Sequence, residues 1–127
     1  MTTFSAILGG VVAVLQSHLL CERVAIAETK EFSADQFFFK VRVELRLGYQ
    51  FQARIYYNYG HVDYAYQLFK EGIPVLRWDN KEEFRSLKTY PHHHHEDRGK
   101  VLPSPLMGNP QEDIAPVLGE IEKYLEK

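Results

Sequence analysis

Residues 37–47 alternate with a strict period of two. Phe37, Phe39, Val41, Val43, Leu45 and Leu47 fall on one side, and Phe38, Lys40, Arg42, Glu44 and Arg46 on the other. Successive side chains that point to opposite faces define a β-strand, and one charged face means a strand half buried and half wet. Such a strand needs antiparallel neighbours and a layer to cover its apolar side. The pattern supplies the neighbours. Gly48-Tyr49 turns the chain, Phe51, Ala53, Ile55, Tyr57 and Tyr59 resume the apolar face, and Gly60-His61 turns it again. Val62, Tyr64, Tyr66 and Leu68 then lie inward, Glu71-Gly72 makes another hairpin turn, and residues 73–78 form the last strand. Pro74 near its start predicts an edge position or a strand end, because proline cannot donate to a ladder. With a first strand over residues 22–30, carrying Val24 and Ile26 on one face, the reading is a meander of about five strands.

The covering layer is predicted from both ends of the chain. Phe4, Ile7, Leu8, Val11, Val12, Leu15 and Leu19 recur at helical spacing, and Thr2 or Thr3 can cap the start. Gly9-Gly10 weakens that helix by about 1 kcal/mol per glycine but permits close approach to a sheet. At the other end, Asn109-Pro110-Gln111-Glu112 has the form of a capping box with proline at the first helical position. Ile114, Val117, Leu118, Ile121 and Leu125 make one face, and Pro116 costs little only if Asp113 is the cap. The polar, Pro- and Gly-containing stretch 96–109 reads as a loop. Helix, meander, helix is an α+β domain with both helices packed on the sheet. At 127 residues, 1–127 is a single domain with one core.

The apolar first twenty residues have no Lys or Arg before Arg23 and are interrupted by glycine, which predicts neither a signal peptide nor a membrane span. The single cysteine, Cys21, cannot close an intrachain disulfide, and it reads as a small core residue in a cytoplasmic protein. No Gly-rich phosphate loop and no serine elbow occurs. The formal charge of -2 argues against a broad nucleic-acid surface. Charge is uneven, however. Arg77, Lys81, Arg85, Lys88, Arg98 and Lys100 face Asp79, Glu82, Glu83, Glu96 and Asp97, whereas the chain beyond Val101 is acidic. The tyrosines between Tyr49 and Tyr66 fit a half-exposed pleated surface, and they lack basic interleaving along the sequence.

The chemistry concentrates in residues 76–95. Four histidines, His92 to His95, follow Tyr90-Pro91, about twelve residues after Arg77-Trp78-Asp79-Asn80. A core needs none of these, because polar groups are costly to bury unpaired. On an extended strand Arg77 and Asp79 share a face, and Trp78 and Asn80 share the other. The first two can simply pair at a sheet end. Alternatively Arg77 clamps an anion with its fork and Asp79 orients a histidine. The histidines have three readings: a solvated loop, a divalent metal site using His92 and His94 or His93 and His95, or metal-free acid–base work. The site expected here gathers Arg77, Asp79, His92, His93 and His95 as the reacting groups, without a cofactor. Asn80, Trp78, Tyr90 and His94 form the surrounding substrate contacts.

Arg-Trp-Asp-Asn followed by Tyr-Pro-His-His-His-His resembles the TumE-type toxins of toxin–antitoxin pairs. In that family an Arg-aromatic-Asp-Asn element precedes an aromatic-Pro-His-His-Lys-His element. The resemblance spans about residues 48–125, with an aromatic-rich strand before the motif and a short helix after it. Two positions depart from it: Lys81-Glu82-Glu83-Phe84 stands where a Pro-His pair is common, and His94 replaces the lysine. The resemblance implies a toxin with a cognate antitoxin partner that acts on RNA, with homodimer formation left open. Histidines and Arg77 together could supply the base, acid and cation that RNA cleavage needs. The competing class is a non-catalytic binding or regulatory module whose histidine loop takes an anion or a metal ion.

Overall fold

The computed structural model describes residues 2–96 and 99–126. Asp97 and Arg98, two of the charges counted in the motif segment, lie outside the described residues. The elements in chain order are α1 (Thr3–Ser17), β1 (Cys21–Ser33), β2 (Gln36–Leu45), a 3-10 turn at Arg46–Gly48, β3 (Tyr49–Asn58), β4 (His61–Lys70), β5 (Ile73–Asp79), β6 (His93–His95), β7 (Val101–Pro103) and α2 (Pro110–Leu125). The strands form one antiparallel sheet in sequential order, β1 to β7. The α+β meander with a helix at each end is therefore the architecture, with seven strands rather than about five. Both extra strands are three residues long, too short to show a period. They exist because β5 offers β6 a free edge, and β6 in turn offers one to β7. Residues 96–109, expected as a loop throughout, thus contain a strand.

Registers carry the alternation from strand to strand. Val41 pairs with Ala53, Ala53 with Tyr66 and Tyr66 with Trp78, so all four point to one face. That face is the core, where Phe37, Phe39, Phe51, Ile55, Leu68 and Trp78 are fully buried with Ile114, Leu118 and Ile121 of α2. Each such side chain contributes about 1.5–3 kcal/mol of burial. Phe4 of α1 packs edge-on against Phe37, and Glu120 of α2 accepts from Trp78 Nε1 at 2.7 Å. Both helices therefore lie on the same face, and they leave the other uncovered. β1 forms the outer edge, with three register shifts along its length.

Several local expectations change. Leu47 and Tyr59, expected on the inward face, are both exposed at turns with positive φ, where the alternation no longer applies. Leu19 lies beyond the end of α1 and is exposed. Thr2 caps α1, accepting from Ser5 N. The close approach that Gly10 permits is to α2, not to the sheet: a Cβ there would meet the side chain of Gln111, which donates to Ala6 O at 2.9 Å. Asn109, not Asp113, caps α2, with Pro110 at the first helical position. Pro116 therefore sits inside the helix, where it cannot donate a backbone hydrogen bond. Asp113 turns back instead and accepts from Met107 N and Gly108 N. Pro74 stands at the start of β5, where no β6 residue pairs with it, which agrees with a strand end. Cys21 is half buried, and burial pushes its thiol up to about 11. Among the described residues no helix is long and apolar enough to cross a membrane.

Candidate functional site on the open face of the sheet

β6 returns antiparallel to β5 in a register that sets Arg77 opposite His95, Trp78 opposite His94 and Asp79 opposite His93. Directly opposed residues share a face. The open face therefore receives Arg77, Asp79, His93 and His95, and the helix face receives Trp78 and His94. The chain enters β6 after a cis Tyr90–Pro91 peptide. Thr89 Oγ1 braces the turn, donating to His92 O at 2.7 Å and accepting from Ser104 N at 3.0 Å.

Asp79 is the hub of the open-face group. It is buried, and its two oxygens are shared out among four neighbours. Oδ2 accepts from Arg77 Nε at 2.6 Å and lies 3.7 Å from His95 Nε2. Oδ1 accepts from Lys81 N at 3.0 Å and lies 2.8 Å from His93 Nε2. The last contact is close without being aligned as a hydrogen bond, so it is an electrostatic contact only. His93 is 1% exposed, and its Nδ1 faces Pro91 O at 3.0 Å. A carbonyl only accepts, so Nδ1 carries the hydrogen and the ring orientation is fixed.

Two members of the group reach solvent: the Arg77 side chain is 40% exposed and that of His95 is 30% exposed. They line a groove of about 330 Å³ with Gln67, Leu76 and Glu96. Burial lowers the His95 imidazole below its ordinary value, Asp79 opposes the shift, and His93 and Arg77 reinforce it. Burial thus favours the unprotonated form of His95, the form a general base requires. Phe84 stands edge-on to both His93 and His95, with ring centroids 4.7 and 5.7 Å away.

The other expected contributors are elsewhere. His94 stacks on Trp78 at 4.5 Å and lies 3.8 Å from Glu120, and burial lowers its imidazole. His92 Nδ1 is 2.7 Å from Tyr64 Oη, and burial lowers its imidazole while Asp113 opposes the shift. Asn80 accepts from Tyr64 N and donates to Val62 O, at 3.0 and 2.7 Å, so both ends of its amide are tied to β4. Tyr90 lies within the turn that His92 N closes on Thr89 O at 2.8 Å, and it is partly buried. The alternation of an extended chain is the reason for the split, since 92 and 94 cannot share a face with 93 and 95. Phe84 and Gln67 were not anticipated. Gln67 carries a signal only once the β4–β5 register places it opposite Arg77.

Asp79, His93 and His95 offer ligand atoms all within 4.8 Å of one another, close enough to share a metal ion. The Arg77 guanidinium on Asp79 occupies the same carboxylate with a fixed positive charge. The arrangement can bind an oxyanion at Arg77 and exchange a proton at His95. A family model described as Toxin TumE matches residues 12–125. No curated protein and no solved structure matches the chain.

Proposed function

Because the chain belongs to the TumE toxin family, the toxin side of a toxin–antitoxin pair, we propose that it acts by cleaving RNA in the groove where Arg77 and His95 reach solvent. The observation that carries this reading is the pairing of one partly exposed guanidinium with one partly exposed imidazole, whose protonated form burial disfavours, over a buried carboxylate. His95 takes the proton of a 2′-hydroxyl, and the 2′-oxygen attacks the adjacent phosphorus. Arg77 stabilises the charge that develops on the phosphoryl oxygens. The bond to the 5′-oxygen breaks and that oxygen takes a proton from water, which the His95 imidazolium restores. The products are a 2′,3′-cyclic phosphate and a 5′-hydroxyl. Asp79 and His93 are positioning residues in this scheme, since neither can touch a substrate without moving. His92 and His94 have no part in it.

The rival reading is a non-catalytic module that holds a divalent ion at Asp79, His93 and His95, and the spacing of those ligand atoms favours it. Induced expression with and without the cognate antitoxin, scored for growth and RNA integrity, separates the two when purified protein is assayed alongside. Cleavage that is lost in His95→Ala and unaffected by chelator supports the ribonuclease. Growth arrest with intact RNA, retained in His95→Ala, would refute it.

A further inference from the structure

The face that carries Arg77 and His95 continues uncovered over the rest of the sheet. One cross-strand row runs His95, Arg77, Gln67, Gln52, Arg42 from β6 to β2. The next runs His93, Asp79, Ala65, Arg54, Lys40. Beside it Tyr56 pairs with Phe38. Between Asp79 and Glu28 of β1, neither row contains an acid, while Lys40, Arg42 and Arg54 supply three cations. Lys40 reaches across to Glu28 on the edge strand, at 3.6 Å, and keeps its place beside Arg54. Glu44 and Asp63 share the face but stand outside both rows, each toward the end of its strand. The acids of α2, Glu112 and Glu120 among them, lie with the helix layer on the opposite side.

Aromatic rings interleave with these cations. Arg54 lies over the Phe38 ring, 5.6 Å from its centroid, and Tyr56 Oη accepts from Gln36 Nε2 at 2.6 Å. Phe38, Arg54, Tyr56, Asp63 and Ala65 line a hollow of about 180 Å³, which the small Ala65 side chain leaves unfilled. Phe69, Arg42, Glu44, Gln50 and Gln52 line another of about 310 Å³. Both open on the same face as the Arg77–His95 groove. Across four strand spacings, β6 to β2 measures roughly 19 Å, enough for several nucleotides.

We propose that this open face is a track for single-stranded RNA, with bases stacked on Phe38, Tyr56 and Phe69 and phosphates on Lys40, Arg42 and Arg54, leading the strand to Arg77 and His95. The proposal rests on the ribonuclease reading and names its substrate class. Half-exposed rings between cations suit unstacked bases of any identity, and bases inside a duplex do not present their faces for stacking.

The test is fluorescence anisotropy with a labelled 2′-O-methyl RNA oligonucleotide, which cannot be cleaved through its 2′-position, on the full chain. Phe38→Ala and Tyr56→Ala are expected to weaken binding by roughly 5- to 100-fold each. Arg54→Gln is expected to reduce the slope of log affinity against log salt by about 0.7, the value for one phosphate contact on a single strand. That slope does not respond to a loss of folding alone, and circular dichroism checks the fold of each variant. Equal affinity and slope in parent and variants would overturn the track, as would a parent that binds no oligonucleotide. So would variants that lose antitoxin binding but keep RNA binding, since the face would then be a protein interface. Binding that follows these expectations without cleavage would instead count against the ribonuclease reading alone.

Discussion

Asp79→Asn removes one charge while keeping the shape of the side chain, and it tests the hub directly. The carboxylate accepts at both oxygens, from Lys81 N at Oδ1 and from Arg77 Nε at Oδ2. An amide has one acceptor and one donor end, so whichever way the substituted side chain turns, one N–H meets another N–H. The cheaper arrangement turns the amide nitrogen toward Arg77, whose side chain is 40% exposed and can recover a water partner. Losing a hydrogen bond to a charged group costs about 1.5–3 kcal/mol, and solvent screening of Arg77 puts this case near the lower end. Taking about 1.5–2 kcal/mol and roughly 4 °C per kcal/mol for a chain of this size, Tm should fall by about 6–8 °C. Urea denaturation should show the same change in midpoint with an unchanged slope. In a double-mutant cycle with Arg77→Ala, the two changes should couple by about 1–2 kcal/mol. An Asp79→Asn protein within about 0.5 kcal/mol of the parent, or additive with Arg77→Ala, would refute this account of the hub.

Four further outcomes are expected. In an RNA-cleavage assay Arg77→Ala should lower turnover by on the order of 10²- to 10³-fold, and Arg77→Lys should recover only part of it, because a point charge does not reproduce the fork. EDTA should leave cleavage unchanged; loss with EDTA and recovery with zinc or manganese would assign Asp79, His93 and His95 to a metal ion instead. Burial lowers the imidazoles of His92, His94 and His95, so the unfolded chain takes up protons first as pH falls. Above the unfolded value near 6.5 these groups have no effect; below it stability should decline until the folded values are passed, which urea midpoints at about pH 7.5 and about pH 5 will show. Gly9→Ala should raise stability by about 0.5–1 kcal/mol, since a Cβ there meets nothing. Gly10→Ala should not, because the same gain is offset by displacing Gln111 from Ala6 O.

The parts of the fold that were legible in the sequence are those with a period. The alternation from Phe37 to Trp78 specified β2 to β5, and it failed only where it was extended into turns, at Leu47 and Tyr59. β7 could not be read, because Val101–Pro103 forms a strand solely through pairing with β6. Within the site, the i, i+2 spacing by itself puts Arg77 and Asp79 on one face. The histidines were different. Alternation guarantees that 92 and 94 separate from 93 and 95, but not which pair joins Asp79. That choice is made by the β5–β6 register, which depends on how residues 80–92 fold back, and no local pattern encodes it.

Asn80 has a consequence for how such a site can exist at all. Its side-chain amide bonds to Tyr64 N and Val62 O, the β4 groups that a continuation of β5 would have met. It is in effect a counterfeit peptide group, set sideways at the end of the strand. The main chain is thereby released from the sheet after Asp79 while these two β4 groups stay paired. The freed segment can then travel out past Phe84 and come back as β6 in a register of its own. Arg-Trp-Asp-Asn therefore interleaves two tasks in four residues: the first and third face the groove, and the second and fourth hold up the wall behind it. Replacing the fourth would leave the groove's own side chains intact and remove the scaffold that aims them.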